Sequence, residues 1–209
     1  MTGPSSRRPL TSRETAWAKG LAARLAASRI PPNRISAASV GFALLGLLCF
    51  WGAANSGRLL DALLLVLAAA TIQARLLCNL MDGMVAIEGG RSGPTGPFWN
   101  EAPDRAADIL FLWGAGIAAG QPALGLACAA LAVTTAYLRE LGRAEGLPPD
   151  FSGPMAKPQR MAALTVGCLA AALYAPAWTL SLTLWIILAG TAATILRRAL
   201  RLHRSLSRR

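Results

Sequence analysis

Residues 79–108 read NLMDGMVAIEGGRSGPTGPFWNEAPDRAAD and lie between two long apolar runs. The stretch holds five of the chain's ten carboxylates, although the chain as a whole has a formal net charge of +11. Its middle, EGGRSGPTGP at 88–97, is rich in glycine and proline, which is typical of a tight loop. The stretch therefore predicts the end of one helix, a short loop and the start of the next helix.

Polar residues on both sides of this loop recur at helical spacing. Two sets share one helix face each: Asn79, Asp82 and Ala86 before the loop, and Asn100, Asp104 and Asp108 after it. Residues three or four apart lie on the same side of an α-helix, so the two polar faces can meet in an antiparallel helix pair.

The composition indicates a membrane protein. The 209 residues are 54% hydrophobic with a mean hydropathy of +0.44, and runs of roughly 17–25 apolar residues can cross a bilayer as helices. Six runs are of about this kind: 35–54, 59–81, 105–120, 122–140, 161–176 and 178–196. We expect an all-α integral membrane bundle of six transmembrane helices at 35–196, with a cytoplasmic segment at 1–34 and a basic cytoplasmic tail at 197–209.

Residues 12–29 predict an amphipathic helix before the first span, because Trp17, Leu21 and Leu25 recur at helical spacing among basic residues. Such a helix suits the membrane interface, beside anionic lipids. The alternative is a solvated basic leader.

The lysines and arginines predict the orientation. With six spans and an internal N-terminus, Arg58 alone lies on the outer side and Arg75 lies within the second span. Basic residues in short loops stay in the cytoplasm, so we expect both termini on the cytoplasmic side of the inner membrane. Topology accounts for the positive charge, and nucleic acid is not expected as a partner.

Carboxylates at membrane depth normally face a partner or a functional cavity. The four cysteines lie singly in different runs and the one histidine, His203, lies in the arginine-rich tail, so oxygen ligands would have to bind any metal. Such ligands favour Mg²⁺ or Mn²⁺. The alternative to a metal site is that Asp82, Asp104 and Asp108 form ion pairs with arginines. Their partners would be Arg75, Arg91 and Arg105.

The spacing as a whole resembles the signature of the CDP-alcohol phosphotransferase family, D-x2-D-G-x2-A-R-x8-G-x3-D-x3-D. The register fits without a gap, and five of the eight fixed positions match: Asp82, Gly83, Ala86, Gly96 and Asp104. Asn79 and Asn100 stand where the family has its first and third aspartates, and Ile87 stands at its arginine. Pro32-Asn33-Arg34-Ile35-Ser36 is also similar to the family's P-N-x-I-T/S.

The resemblance implies a membrane enzyme of phospholipid synthesis. Family members transfer a phosphatidyl or related group from a CDP-linked lipid to an alcohol and release CMP, and two divalent ions bound by four aspartates bridge the diphosphate. Carried across, Asp82 is a metal ligand and Asp104 is a metal ligand or the catalytic base. Asn79 and Asn100 would coordinate through amide oxygens. The number of ions that the site binds, one, two or none, stays open.

Further site residues follow from the same resemblance. Asp108 is the expected substitute ligand, with an ion pair to Arg105 as its rival role. Gly83, Ala86, Gly96 and Arg91 are expected to contact the nucleotide. Arg139, Arg143, Lys157 and Arg160 are expected to bind a phosphate-bearing acceptor, unless they serve only as topology determinants.

Two other functions are compatible with the sequence. A non-catalytic relative that binds nucleotide-lipid or a partner protein is the main alternative to the enzyme. A small transporter or channel with an acidic lining is the less favoured hypothesis, because the acidic residues cluster at one membrane face. Small residues such as Gly114 and Ala118 would permit helix association and a homodimer.

Overall fold

The computed structural model describes residues 15–28, 31–88, 95–174 and 176–209, and in these ranges the chain forms seven α-helices and no strand. The helices are α1 (Ala16–Ala27), α2 (Pro32–Ala54), α3 (Arg58–Glu88), α4 (Gly96–Ala118), α5 (Pro122–Ala144), α6 (Lys157–Leu173) and α7 (Pro176–Leu206). The predicted all-α fold is confirmed.

Proline marks the start of several helices. It occupies the first or second position of α2, α4, α5 and α6. The first N–H groups of a helix have no partner within it, so a residue without an N–H is tolerated there. The predicted breaks between the apolar runs therefore coincide with helix starts.

Helix α1 lies within the predicted amphipathic segment 12–29, whose first residues and residue 29 fall outside the described part of the chain. Its buried face is formed by Ala18 and Ala22, which pack in one cluster with Met81 and Val85 of α3. Trp17 is 56% exposed. Leu21 and Leu25 are partly buried and pack against this cluster, and the placement of α1 in the membrane interface stays a prediction.

In the described part of the chain, four helices are long and apolar enough to cross a membrane: α2, most of α3, α5 and most of α7. Helix α4 carries the polar residues of the candidate site in its first half, and α6 has only 17 residues. Helix α4 packs against α2 and α5, and α6 packs against α3 and α7. The structure thus describes an all-α membrane protein, and the number of six spans stays a prediction.

Glycines allow close contacts in the apolar core. A Cβ added at Gly46 would lie 2.4 Å from Phe111, and one added at Gly125 would lie 2.5 Å from the carbonyl oxygen of Leu112. Gly114 packs against Phe50 of the same chain, where an added Cβ would lie 2.8 Å from the ring. Gly114 thus permits a close contact between α4 and α2 within the chain, and the homodimer stays a prediction.

Helix α7 continues through the predicted tail, so the division expected at residue 197 does not coincide with a helix end. Arg198 is buried and donates to the carbonyl oxygens of Thr135 at 2.8 Å and Ser152 at 2.9 Å. These bonds connect α7 to α5 and to the loop before α6, on the side of the bundle that holds the candidate site.

Candidate active site

A cavity of about 700 Å³ opens where α3 ends and α4 begins. Its lining comes from both polar faces described above and from the facing ends of α5 and α6. The predicted site residues among the lining are Asn79, Asp82, Gly83, Ala86, Gly96, Asn100, Asp104, Arg139, Arg143, Lys157 and Arg160. Arg91 lies outside the described residues.

The two polar faces meet directly. The side-chain nitrogen of Asn79 on α3 donates to Oδ1 of Asp104 on α4. Asn79 and Asp104 thus each lie on the predicted polar face of their helix, and these faces meet at the contact between α3 and α4.

Asp104 is surrounded by positive charge. Nη2 of Arg75 donates to its Oδ1 at 3.0 Å, and the ammonium of Lys157 contacts its Oδ2. Arg105 approaches Oδ2 at 3.6 Å. Both oxygens of this carboxylate therefore face cationic side chains from three helices.

Asp82 lines the same cavity but has different partners. Its Oδ2 accepts a 2.8 Å hydrogen bond from the hydroxyl of Ser36. Among the described residues, no arginine or lysine forms an ion pair with Asp82. It is 8% exposed, so it is a nearly buried carboxylate held by neutral donors.

Asp108 lies behind the cavity and not on its wall. It is fully buried, and its two oxygens face Nη2 of Arg75 at 3.5 Å and Nη2 of Arg160 at 3.2 Å. The structure thus places this predicted metal ligand in an ion pair with two arginines. Its expected rival partner, Arg105, instead pairs with Glu101 at 2.9 Å.

Asn100 is exposed at the rim, where its side-chain nitrogen donates to Glu101 at 3.3 Å. Glu101 also accepts from Arg139 of α5, so this carboxylate joins α4 to α5. An added Cβ at Gly96 would meet nothing within 4 Å. The protein itself therefore does not require glycine there, and close approach of a nucleotide stays a prediction.

The four predicted acceptor residues all line the cavity, but their surroundings differ. Arg139 lies over the ring of Phe151 at 5.6 Å, and Arg143 pairs with Glu140 at 2.9 Å near the surface. Arg160 is 2% exposed and also donates to the carbonyl oxygen of Met155 at 3.1 Å. Burial lowers the pKa of the Lys157 ammonium to about 8, with Asp104 opposing and Arg75 reinforcing this shift.

Ser36 and Arg198 were not predicted as site residues, and Arg75 was predicted only as an ion-pair partner. Ser36 and Arg198 line the cavity. Arg75 is fully buried, and its Nε and Nη1 have no hydrogen-bond partner among the described residues. One signal was present: Arg75 precedes Asn79 by four residues, which places it on the same face of α3.

No protein-family model and no curated protein matches the chain by sequence. Solved structures match by fold. The Mycobacterium tuberculosis phosphatidylinositol phosphate synthase PgsA1 with CDP-DAG bound gives a TM-score of 0.74 at 19% identity, over 90% of this chain and 94% of that chain. This chain has the same fold.

A second structure of that synthase, in complex with manganese and citrate, gives a TM-score of 0.73 at 19% identity, over 88% of both chains. The apo form gives 0.69 at 19% identity, over 86% of this chain and 93% of that chain. The resemblance inferred from the signature motif is thus confirmed for the fold.

Proposed function

We propose that the protein is a CDP-alcohol phosphotransferase of phospholipid synthesis. It transfers a phosphatidyl or related group from a CDP-linked lipid to a small alcohol acceptor and releases CMP. One observation carries this proposal: Asp82 and Asp104, the motif carboxylates, line one cavity in a fold shared with a synthase that binds CDP-DAG.

The donor set suits a hard divalent cation. Asp82 and Asp104 offer carboxylate oxygens, and Asn79 and Asn100 can add amide oxygens at the same cavity. Among the described residues no group of three carboxylate, histidine or cysteine side chains comes together. Bound Mg²⁺ or Mn²⁺ would neutralise charge on the diphosphate and on the CMP leaving group.

The chain's own residues have distinct tasks in this reaction. Asp82 binds the cation, and the Asp104 carboxylate accepts the proton of the acceptor hydroxyl. Gly83, Ala86 and Gly96 line the nucleotide subsite, with Arg91 from the loop. Lys157 and Arg160 bind a phosphate-bearing acceptor, while Arg139 and Arg143 lie further along the same wall.

Asp108 is assigned a different role from the one expected. Both of its oxygens face arginines and it does not reach the cavity. It positions Arg75 and Arg160, and it is not proposed as a ligand.

We further propose six spans formed by α2–α7, with α1 in the membrane interface and both termini on the cytoplasmic side of the inner membrane. The cavity then opens at the cytoplasmic face, where a water-soluble acceptor can enter and CMP can leave. Membrane lipids surround the outward-facing side chains, which include Leu48, Leu59 and Trp185. Association into a homodimer remains part of the proposal.

Purified protein supplied with CDP-DAG, Mn²⁺ and a panel of alcohols tests the function by CMP release. We expect CMP with one class of acceptor. Asp82→Asn and Asp104→Asn should each reduce it by more than about 100-fold, because the first removes a cation ligand and the second removes the proton acceptor.

Asp61→Asn is the matched control. Asp61 is a buried carboxylate near the other end of α3, where it pairs with Arg58 at 3.6 Å. Its variant should retain CMP release. Absence of CMP with every acceptor would contradict the enzyme proposal and favour the non-catalytic relative.

A further inference from the structure

The charges beside Asp104 differ from those that the family signature implies. Where the signature has an aspartate, the chain has Asn79, and Asn79 donates to Oδ1 of Asp104. One turn earlier on α3 stands Arg75, whose Nη2 contacts the same oxygen at 3.0 Å. A negative charge of the signature is thus missing at this place, and Arg75 contributes a positive charge there.

Arg75 is fixed in position. Its Nη2 lies within 3.5 Å of Asp104 Oδ1, the Asp104 carbonyl oxygen and Asp108 Oδ1. The side chain is fully buried, and a guanidinium keeps its charge under all ordinary conditions. A permanent positive charge thus lies against one oxygen of the carboxylate that a second divalent ion would need.

Lys157 acts on the other oxygen. Its ammonium contacts Oδ2 of Asp104 from the start of α6. The two oxygens of Asp104 are therefore each in contact with a cationic side chain, and a second dication beside them would be repelled by both.

Asp82 has different surroundings. Its carboxylate accepts a hydrogen bond from the neutral hydroxyl of Ser36, and no ion pair to it occurs in the described part of the chain. A nearly buried carboxylate without a cationic partner is costly. A bound divalent cation would supply the missing positive charge on this side.

We propose that the site binds one divalent cation, on the Asp82 side, and that Arg75 and Lys157 supply the second positive charge beside Asp104. This inference rests on the proposed function for the nature of the substrate, whereas the number of ions is a property of the resting protein. Asn79 is neutral and leaves Asp104 to pair with Arg75. An aspartate at position 79 would face Asp104 directly.

The test counts Mn²⁺ bound per chain by isothermal titration and by electron paramagnetic resonance, with and without CDP-DAG. The parent protein should bind one Mn²⁺ and give the spectrum of an isolated ion. The double variant Arg75→Met with Asn79→Asp should bind two ions that show spin coupling. Arg75→Lys, which keeps the charge, should bind one.

Arg58→Met controls for the loss of an arginine at the opposite end of the bundle, where Arg58 donates to the carbonyl oxygen of Ala172 at 2.9 Å. It should bind one ion. Two Mn²⁺ in the parent, or none, would overturn the inference, and so would a folded double variant that still binds one. Should the double variant fail to fold, the count in the parent decides.

CMP release measured on the same samples separates the two proposals. One bound Mn²⁺ without CMP from any acceptor would remove the enzyme proposal and leave the ion count standing. CMP release by a protein with two bound ions would do the reverse.

Discussion

Asp82 and Asp104 line the same cavity, but the charges of the two carboxylates are compensated in different ways. On the α2–α3 wall, Asp82 is held by neutral donors. On the α4–α6 wall, Asp104 is held by Arg75 and Lys157. A buried carboxylate needs compensating positive charge, and here one wall contains it within the protein while the other leaves it to a bound cation. Two aspartates of one sequence motif thus have different electrostatic surroundings.

The largest effect on this contrast is expected from Asp108→Asn. The substitution removes the carboxylate that faces both Arg75 and Arg160, so the two buried arginines lose a partner. Breaking a buried ion pair costs about 3–5 kcal/mol. The free energy of unfolding in detergent should fall by that amount, while Mn²⁺ affinity should change far less.

Asp61→Asn again serves as the comparison for stability, since its partner Arg58 is half exposed and can regain water. It should lose under about 1 kcal/mol. If Asp108→Asn instead weakened Mn²⁺ binding as strongly as Asp82→Asn and left stability intact, Asp108 would be a ligand after all.

A smaller effect is expected from Asn79→Asp. The new carboxylate lies beside Asp104 and adds a hard anionic ligand at the contact between α3 and α4. Mn²⁺ affinity should rise about tenfold, which corresponds to about 1.4 kcal/mol. In the absence of metal the variant should unfold more easily, because two carboxylates then face each other.

Asn100→Asp is the companion to that variant. Asn100 is exposed at the rim, where solvent screens an added charge, so its effect on Mn²⁺ affinity should be weaker. Equal gains in Mn²⁺ affinity from the two variants would show that a carboxylate at the exposed rim and one at the contact between α3 and α4 strengthen binding equally. The positions of the two asparagines do not support this outcome.

The smallest effect is expected from Ser36→Ala on the Asp82 wall. The 2.8 Å hydrogen bond from the Ser36 hydroxyl orients Asp82. Its loss should cost about 1 kcal/mol and weaken Mn²⁺ binding about fivefold. The buried hydroxyl of Ser39 donates to the carbonyl oxygen of Ser36 in its own helix, so Ser39→Ala should leave the Mn²⁺ titration unchanged. A Ser36→Ala titration that overlays the parent would mean that Asp82 does not depend on its neutral donors.

Much of the fold followed from local patterns. The apolar runs and the prolines located α2–α7, because helix length and helix starts depend on neighbouring residues. The spacing of Asn79 and Asp82, and of Asn100 and Asp104, placed each pair on one face for the same reason. The packed face of α1 was not predictable in this way, since the choice of Ala18 and Ala22 depends on the shape of α3.

The sequence by itself determined the helices, the membrane character and the register of the signature motif, all of which depend on residues close together in the chain. Tertiary structure alone decided which charges meet. Lys157 is 53 residues from Asp104 and Arg160 is 52 residues from Asp108, and packing of α6 near α4 brings them together. The partners of a buried charge depend on distances in space, so the spacing of residues along the chain could not show that one aspartate is neutralised from within and the other is not.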